Sequence, residues 1–280
     1  MALAAPGPII AEVARIARRA GAAIEAVRKS GFAATDKADL SPVTEADLAA
    51  DRIIAAELAA AFPGDGLVSE ESHGTTALTD ATWVVDPLDG TEAFIDGRIR
   101  GYAVQIARVV GGVVTHGVVY EPAVDELFWA ERGEGAWLEV GGATRRLATR
   151  DARDGLRLVT STRVASGFRE ALFAEGLLDG GMFRSVGVKV GRVAQGLAEV
   201  YPATHALSVW DVAAPLIVLE EAGGRMTDLD ERPVELGALI LPDGRRGLDD
   251  ALVATHGPTH GHWCEVLRTM RRQHARGGGR

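Results

Sequence analysis

One stretch decides how the rest of this chain is interpreted: Trp83-Val84-Val85-Asp86-Pro87-Leu88-Asp89-Gly90-Thr91. Its first three residues are apolar and strand-forming, which is typical of a strand buried on both faces. Pro87 has no N–H to donate to a sheet, and it restricts the residue before it to extended geometry. We therefore predict a buried strand that ends at Asp86.

The second half of the stretch places two carboxylates around a turn. Gly90 allows a sharp change of direction, and Thr91 is predicted to cap a helix that runs through Phe94. Neighbouring carboxylates such as Asp86 and Asp89 repel each other unless a cation or a proton intervenes, whereas helix N-termini favour anions. A divalent metal that bridges to a phosphate would satisfy both groups. From these residues alone, an ordinary Asp-Pro-x-Asp-Gly loop turn is the open alternative.

Length and composition indicate a globular protein that can bury a substantial core. The 280 residues fit one large domain or two tightly packed halves, with 47% apolar and 25% charged residues. The formal net charge of −9 argues against nonspecific binding to a nucleic-acid polymer. Cys264 is the only cysteine, so neither an internal disulfide nor a cysteine-rich metal site is available.

Hydropathy gives an expectation for the cellular location of the protein. No apolar run reaches membrane-spanning length, and the N-terminus lacks the basic segment, apolar core and cleavage site of a secretory signal. We therefore expect a cytoplasmic protein with no membrane partner.

The first half of the chain reads as packing helices followed by β-strands. Apolar residues at helical spacing predict a helix over 9–27, and Thr44 is predicted to cap a second helix with Asp47 at its third position. A short strand at 67–69 would deliver Glu70 and Glu71. Residues 103–110 and 113–120 form a predicted hairpin around Gly111-Gly112, and residues 30–42 read as irregular.

The second half alternates strands and helices, which is typical of an α/β layer arrangement. Strands are predicted at 156–161, 182–186, 199–201, 225–228, 239–241 and 251–254, and helices at 164–175, 189–197, 210–221 and 258–272. A segment rich in Gly, Arg and Asp around residues 141–155 suggests a boundary between two halves, 1–145 and 146–280. Asp211 begins an otherwise apolar helix, where a capping role is the alternative to a site role.

Several motifs together resemble the inositol monophosphatase superfamily of magnesium-dependent, lithium-sensitive phosphomonoesterases. They are, in chain order, Val43-Thr44-Glu45-Ala46-Asp47, Glu70-Glu71-Ser72, Asp86-Pro87-Leu88-Asp89-Gly90-Thr91, Trp210-Asp211-x-Ala213-Ala214 and Glu221-Ala222-Gly223-Gly224. The resemblance covers nearly the whole chain. It implies a layered αβαβα sandwich of the inositol monophosphatase and fructose-bisphosphatase type, and a homodimer is an assembly common in the superfamily.

The resemblance also assigns metal ligands for two or three Mg²⁺ ions. Glu70, Asp86 and the backbone carbonyl of Leu88 would hold one ion, with a third, weaker ion near Glu70. A second ion would be held by Asp86, Asp89 and Asp211. Oxygen donors of this kind are the ligands that a hard cation prefers.

Catalytic roles are implied for residues next to these ligands. Thr91 and Asp47 would help to activate a water molecule that attacks phosphorus in line, and Glu71 would contribute a contact to water or metal. The backbone amides of Gly90 and Thr91 would hold the phosphate. A small-molecule phosphomonoester is therefore the expected partner.

Within the superfamily, the chain most resembles the 3′(2′),5′-bisphosphate nucleotidase branch. The resemblance lies in Gly187-Val188-Lys189, Val193-Ala194-x-Gly196 and Tyr201-Pro202, and it implies substrate contacts from Ser185, Gly187, Lys189 and Tyr201. Lys189 would supply a cation for a second phosphate. The chain departs from that branch at Glu92-Ala93, where the pattern usually has Lys-Glu.

Other functions remain open from the sequence. An inositol-1-phosphate phosphatase would use the same site, and an inactive metal-binding scaffold would keep the fold without turnover. The alternative for Lys189 is a solvent-exposed residue of a helix that has no role in the site. The absence of a Trp-Gly-Asp type of run before Tyr201 argues against the histidinol-phosphate phosphatase branch.

Overall fold

Two β-sheets, with helices between them and on both outer faces, organise the chain in the computed structural model. The structure describes residues 5–36, 42–71, 79–98, 100–150, 155–205, 207–236 and 251–277. The layers run from two N-terminal helices, through a seven-stranded sheet, a pair of buried helices and a five-stranded sheet, to two outer helices. This arrangement confirms the predicted αβαβα sandwich.

Two N-terminal helices, α1 (Pro8–Ser30) and α2 (Glu45–Ala61), form the first layer. Their apolar faces bury residues such as Ile16 and Ile54 against one face of the larger sheet. Thr44 caps α2, and the side chain of Asp47 accepts a hydrogen bond from the Thr44 N–H, which confirms the predicted capping arrangement.

The seven-stranded sheet has the spatial order β3-β4-β5-β6-β7-β8-β9. Its strands are β3 (Gly66–Ser69), β4 (Ala81–Asp89), β5 (Ala103–Val110), β6 (Val113–Glu121), β7 (Glu126–Glu131), β8 (Gly135–Val140) and β9 (Ala143–Arg146). β3 runs parallel to β4, all the other neighbours are antiparallel, and the predicted hairpin of β5 and β6 is confirmed. A 3₁₀ turn, Pro122–Val124, joins β6 to β7.

A small ribbon precedes α2, where the sequence predicted irregular structure. It pairs β1 (Ala34–Asp36) with β2 (Pro42–Thr44) in antiparallel orientation. Three residues per strand are too few for the alternating pattern on which strand prediction depends.

β4 extends further than predicted. Asp86 pairs with Gln105 and Asp89 pairs with Ala103, so the ladder resumes after an irregularity at Pro87 and Leu88. Because the bulge removes Pro87 from the regular ladder, its missing N–H is tolerated. The predicted end at Asp86 was therefore wrong.

The short helix α3 (Thr91–Ile95) follows β4 directly. Its N-cap is Gly90, with φ +91°, and Thr91 is the first helical residue rather than the cap that we predicted. A left-handed backbone at this position favours glycine, because a side chain there is strained.

The five-stranded sheet has the order β11-β10-β12-β14-β13. Its strands are β10 (Arg157–Ser161), β11 (Leu178–Phe183), β12 (Val200–Ala203), β13 (Arg225–Asp228) and β14 (Leu252–Thr255). β10 pairs in parallel with β11 and β12, whereas β14 is antiparallel to β12 and β13. The predicted strand at 182–186 was placed too late, since β11 ends at Phe183, and the predicted strand at 239–241 lies outside the described residues.

Helices α5 (Val186–Ala194) and α6 (Val209–Glu221) lie between the sheets. Both contact strands of the two sheets, and their apolar residues join the central core. Helices α4 (Ser166–Ala174) and α7 (His260–Gly277) cover the outer face of the smaller sheet. The division of the chain into halves 1–145 and 146–280 stays a prediction.

Helix length and hydropathy bear on membrane association. Within the described residues, no helix combines the length and the apolar character that crossing a bilayer requires.

Candidate active site

Three carboxylates, two buried and one half-buried, meet at the end of β4 and the start of α6. Oxygen atoms of Asp86, Asp89 and Asp211 all lie within 4.8 Å of one another. They line a cavity of about 200 Å³ together with Glu70, Leu88, Gly90 and Thr91. The structure thus brings into one cavity acidic residues from three distant segments of the chain.

Backbone N–H groups orient two of these carboxylates. The N–H of Leu88 donates to Oδ1 of Asp86 at 3.0 Å, and the N–H of Ser208 donates to Oδ2 of Asp211 at 2.6 Å. Within the described part of the chain, these bonds leave the other oxygen of each carboxylate free for another ligand.

Asp89 is held more tightly than its neighbours. Its Oδ2 accepts hydrogen bonds from the side-chain amide of Gln105 at 2.6 Å, the hydroxyl of Ser185 at 2.6 Å and the N–H of Gly187 at 2.9 Å. Ser185 and Gly187, predicted as substrate contacts, lie behind Asp89 and are not among the described residues that line the cavity. Their observed contacts fix the orientation of the carboxylate.

Burial and mutual repulsion disfavour the charged forms of these groups. Burial raises the pKa of Asp86 well above its usual range, and the charges of Glu70, Asp89 and Asp211 raise it further. Burial and Asp89 likewise raise the pKa of Asp211. The pKa of Asp89 rises to about 6 by burial, against the opposing effects of its hydrogen bonds and of Lys189. A bound cation would remove this repulsion.

The donor set fits a hard divalent cation such as Mg²⁺. Every candidate ligand atom is an oxygen: carboxylates of Glu70, Asp86, Asp89 and Asp211, and the carbonyl of Leu88. Three carboxylates within 4.8 Å of one another can share a cation, which balances their charge. The roles of these residues as metal ligands, and the number of ions, stay predictions.

The two adjacent glutamates differ in placement. Glu70 follows β3, its N–H donates to the carbonyl of Val85, and it lines the cavity. Glu71 lies in the turn, partly exposed, and is not among the described residues that line the cavity. The predicted contact of Glu71 with water or metal therefore has less geometric support.

Thr91 connects the cavity to a buried acid. Its hydroxyl lies 2.9 Å from Oδ1 of Asp47 and 3.0 Å from the carbonyl of Leu88, and its single proton can serve one acceptor at a time. Burial raises the pKa of Asp47, although hydrogen bonds from Thr44 and Thr91 oppose this effect. Asp47 thus has a raised affinity for a proton and a direct contact to a hydroxyl on the cavity wall.

The wall beyond the carboxylates carries two arginines and a glutamate. Arg163 follows β10, Arg184 follows β11, and both pair with Glu92 of α3. All three residues line the cavity, as does His205, whose pKa burial lowers to about 4. Cationic side chains therefore line the same cavity as the acidic cluster.

Lys189 and Tyr201 form a buried pair rather than an open contact surface. The ammonium of Lys189 donates to the carbonyls of Phe183 at 3.3 Å and Arg184 at 2.7 Å, and it lies 4.9 Å from the ring centre of Tyr201. Lys189 is fully buried, so the solvent-exposed alternative is wrong. The Tyr201 hydroxyl has no hydrogen-bond partner among the described residues. Neither residue is among the described residues that line the cavity.

Three site residues were missed by the sequence analysis: Gln105, Arg184 and His205. Gln105 carried a signal, because it is a polar residue inside an otherwise apolar strand. Arg184 and His205 lie in loops whose path only the tertiary structure defines.

Comparison with known proteins gives a consistent family match. The sequence matches the inositol monophosphatase family over residues 7–270. It is 39% identical over 201 residues to a histidinol-phosphatase of Mycobacterium tuberculosis, covering 69% of this chain and 76% of the relative. The 3′(2′),5′-bisphosphate nucleotidase CysQ of Escherichia coli K12 is 33% identical over 231 residues, covering 80% and 92%.

A third relative carries another activity in its name. The inositol-1-monophosphatase of Caulobacter vibrioides is 36% identical over 202 residues, covering 68% of this chain and 76% of that protein. Since the three relatives are named for three substrates, sequence similarity leaves the substrate open. The 39% identity to the Mycobacterium tuberculosis histidinol-phosphatase keeps the histidinol-phosphate branch open, although the missing Trp-Gly-Asp type of run argued against it.

A solved structure supports the fold. The extragenic suppressor protein SuhB of Bartonella henselae superposes with a TM-score of 0.75 at 26% identity, covering 94% of this chain and 98% of that one.

Proposed function

This chain belongs to the inositol monophosphatase family of phosphomonoester hydrolases, and on that premise we propose that it is a Mg²⁺-dependent 3′(2′),5′-bisphosphate nucleotidase. In this proposal it converts 3′-phosphoadenosine 5′-phosphate to AMP and phosphate. One observation carries the proposal: a cluster of carboxylates and two arginines, Arg163 and Arg184, line one cavity.

The acidic end of the cavity suits the chemistry of phosphate transfer to water. Bound Mg²⁺ would neutralise charge on the phosphoryl oxygens and lower the pKa of water in the site. Asp86, Asp89 and Asp211 would hold it, with Glu70 and the Leu88 carbonyl as further oxygen donors.

The proton of the attacking water needs an acceptor. The Thr91 hydroxyl can take it while passing its own proton to Asp47 at 2.9 Å. The raised pKa of Asp47 favours this acceptor role. As the water oxygen bonds to phosphorus, the bond from phosphorus to the ester oxygen breaks, and that oxygen leaves with the bonding electrons and takes up a proton from solvent water. Gly90 and Thr91 line the cavity where the phosphoryl group would lie.

The arginines are better placed than Lys189 to contact a second phosphate. Lys189 is fully buried and donates to two backbone carbonyls, whereas Arg163 and Arg184 line the cavity. A planar guanidinium can hold a phosphate with two parallel hydrogen bonds. We therefore transfer the predicted phosphate-binding role from Lys189 to these two residues.

A second candidate is hydrolysis of histidinol phosphate. Its support is the 39% identity to the Mycobacterium tuberculosis enzyme and the carboxylate of Glu92 on the cavity wall, which could pair with an ammonium group. Inositol 1-phosphate hydrolysis has the support of the Caulobacter vibrioides relative.

A substrate panel tests the proposal. Phosphate release from 3′-phosphoadenosine 5′-phosphate, histidinol phosphate and inositol 1-phosphate is measured with Mg²⁺ and with EDTA. We expect the highest kcat/KM for the bisphosphate, full dependence on Mg²⁺ and no turnover by Asp86→Asn. A clear preference for either other substrate contradicts the nucleotidase assignment, and equal trace activity of wild type and Asp86→Asn on all three would indicate the inactive scaffold.

A further inference from the structure

A single glutamate, Glu92, forms ion pairs with two arginines on the cavity wall. The guanidinium of Arg163 donates to both carboxylate oxygens of Glu92, with Nε 3.3 Å from Oε2 and Nη2 bonded to Oε1. Nη1 of Arg184 lies 2.6 Å from the same Oε2. Glu92 thus joins α3 to the loops after β10 and β11.

The charges of this cluster do not cancel. Two guanidinium groups and one carboxylate leave a net charge of +1 on this part of the cavity lining. Glu92 is ionised, because Arg163 and Arg184 lower its pKa even though burial acts in the opposite direction. The cluster is therefore cationic overall, but less so than two free arginines would be.

An anionic group that enters the cavity would meet arginines that are already paired with a carboxylate. Both Glu92 oxygens accept from Arg163, and Oε2 also pairs with Arg184. Glu92 and Arg184 keep only 29% and 20% of their side-chain surface exposed, whereas Arg163 keeps 55%. Solvent therefore screens the Glu92–Arg184 pair less than the Glu92–Arg163 pair. A phosphate that binds Arg163 through the same Nε and Nη2 donors competes with the glutamate for them.

We propose that Glu92 is a specificity-determining residue that competes with a second anionic group of the substrate for Arg163 and Arg184. Substrates of this class are phosphomonoesters with another phosphate or carboxylate, and they bind by displacing Glu92. The inference rests on the proposed function only in placing the reacting phosphoryl group in this cavity.

A purely structural role of Glu92 makes the opposite prediction. If the carboxylate only braces α3 against the two loops, its loss would loosen the cavity and weaken every substrate in similar measure. If Glu92 competes, its loss frees arginine donors that an anionic group of the substrate can use. Only substrates with a second anionic group would then bind more tightly.

The test compares two nucleotides that differ by one phosphate. kcat and KM are measured for 3′-phosphoadenosine 5′-phosphate and adenosine 3′-monophosphate with wild type and Glu92→Gln. We expect the ratio of their kcat/KM values to rise about tenfold in favour of the bisphosphate, mainly through KM, as for one added hydrogen bond to a charged group. An unchanged or smaller ratio overturns the inference.

Two further variants make the result specific. Asp96→Asn, a matched change at the other end of α3 with a half-exposed side chain, should leave the ratio at the wild-type value. In an Arg163→Gln background, Glu92→Gln should raise the ratio far less, since one competing partner is already gone. An undiminished effect in that background contradicts the assignment of Arg163.

Binding separates this inference from the nucleotidase proposal. Calorimetric titration of both nucleotides in the presence of Mg²⁺ into Asp86→Asn, with and without Glu92→Gln, reports affinity without turnover. A gain in affinity confined to the bisphosphate supports the role of Glu92, even if wild type hydrolyses neither nucleotide. That absence of hydrolysis would contradict the nucleotidase proposal alone. Equal changes for both nucleotides reject the role of Glu92 whatever the natural substrate.

Discussion

The hydroxyl of Ser185 donates a 2.6 Å hydrogen bond to Oδ2 of Asp89, although 96 positions separate the two residues in the chain. Ser185 is the N-cap of α5, between the sheets, and Asp89 ends β4 in the larger sheet. The bond therefore couples the packing of the two sheets to the orientation of a carboxylate at the cavity.

Ser185→Ala should weaken Mg²⁺ activation without abolishing it. Residues that orient a metal ligand change metal affinity by about 10–100-fold when mutated, and Asp89 keeps two of its three donors here. We expect about a tenfold higher Mg²⁺ concentration for half-maximal phosphatase activity. Ser30→Ala, at the exposed end of α1, is the control, and equal Mg²⁺ curves for both variants would contradict the role of Ser185.

Mg²⁺ should stabilise the protein more as pH rises. The folded pKa of Asp89 is about 6 and those of Asp86 and Asp211 are also raised, so in metal-free protein the folded state binds more protons than the unfolded state. Their contribution to stability is present below the ordinary aspartate pKa and is lost as pH rises through the folded values. Mg²⁺ binds the deprotonated carboxylates and reverses this loss.

The measurement is the melting temperature with saturating Mg²⁺ and with EDTA between pH 5 and pH 8. Mg²⁺ at about 100 times its Kd adds about 2.7 kcal/mol, and this gain should shrink towards pH 5. Histidines with lowered pKa values, such as His205, affect both samples alike and cancel in the difference. A difference that is constant with pH would show that the raised pKa values do not govern metal binding.

Lys189→Met should destabilise the metal-free protein. The variant leaves the carbonyls of Phe183 and Arg184 without their donor and removes the cation near Asp89 and Asp211. We expect the free energy of unfolding in urea with EDTA to fall by about 2 kcal/mol. Lys29→Met, in the exposed last turn of α1, should change it little, and equal stability of the two variants would refute a structural role for Lys189.

Gly90→Ala should lose both stability and activity. The added Cβ would lie 2.5 Å from the carbonyl oxygen of Gly101, in a backbone with φ +91°. Gly97→Ala is a matched control, because Gly97 has φ +69° but no described atom within 4 Å of its added Cβ. We expect about 1–3 kcal/mol of strain in the control and a larger loss of unfolding free energy in Gly90→Ala. Equal losses would mean that the contact with Gly101 relaxes easily.

Local patterns in the sequence were sufficient to predict most of the helices and strands. The helical periodicity of α1, the capping residues of α2 and the Gly-Gly hairpin each depend on neighbours within a few positions. Errors arose where a longer-range contact overrode a local preference. β4 continues past Pro87 because Asp89 still finds Ala103 opposite it, and no local pattern contains that partner.

The site divides in the same way. The resemblance of the motifs to a known family assigned the acidic residues as ligands before any geometry was known, and their oxygen donors are those that hard cations prefer. The sequence also named Ser185 and Lys189, but their surroundings depend on how α5 packs between the two sheets.

By itself, the sequence determined most helices and strands and the acidic chemistry of the cavity, because periodicity, caps and donor types are properties of neighbouring residues. Its motifs gave the fold class through their resemblance to a known family. Only the tertiary structure decided which side chains face the cavity and which lie behind it. Glu92, Arg163 and Arg184 come from three separate elements, and their charges oppose or assist a ligand only because folding brings them within hydrogen-bonding distance.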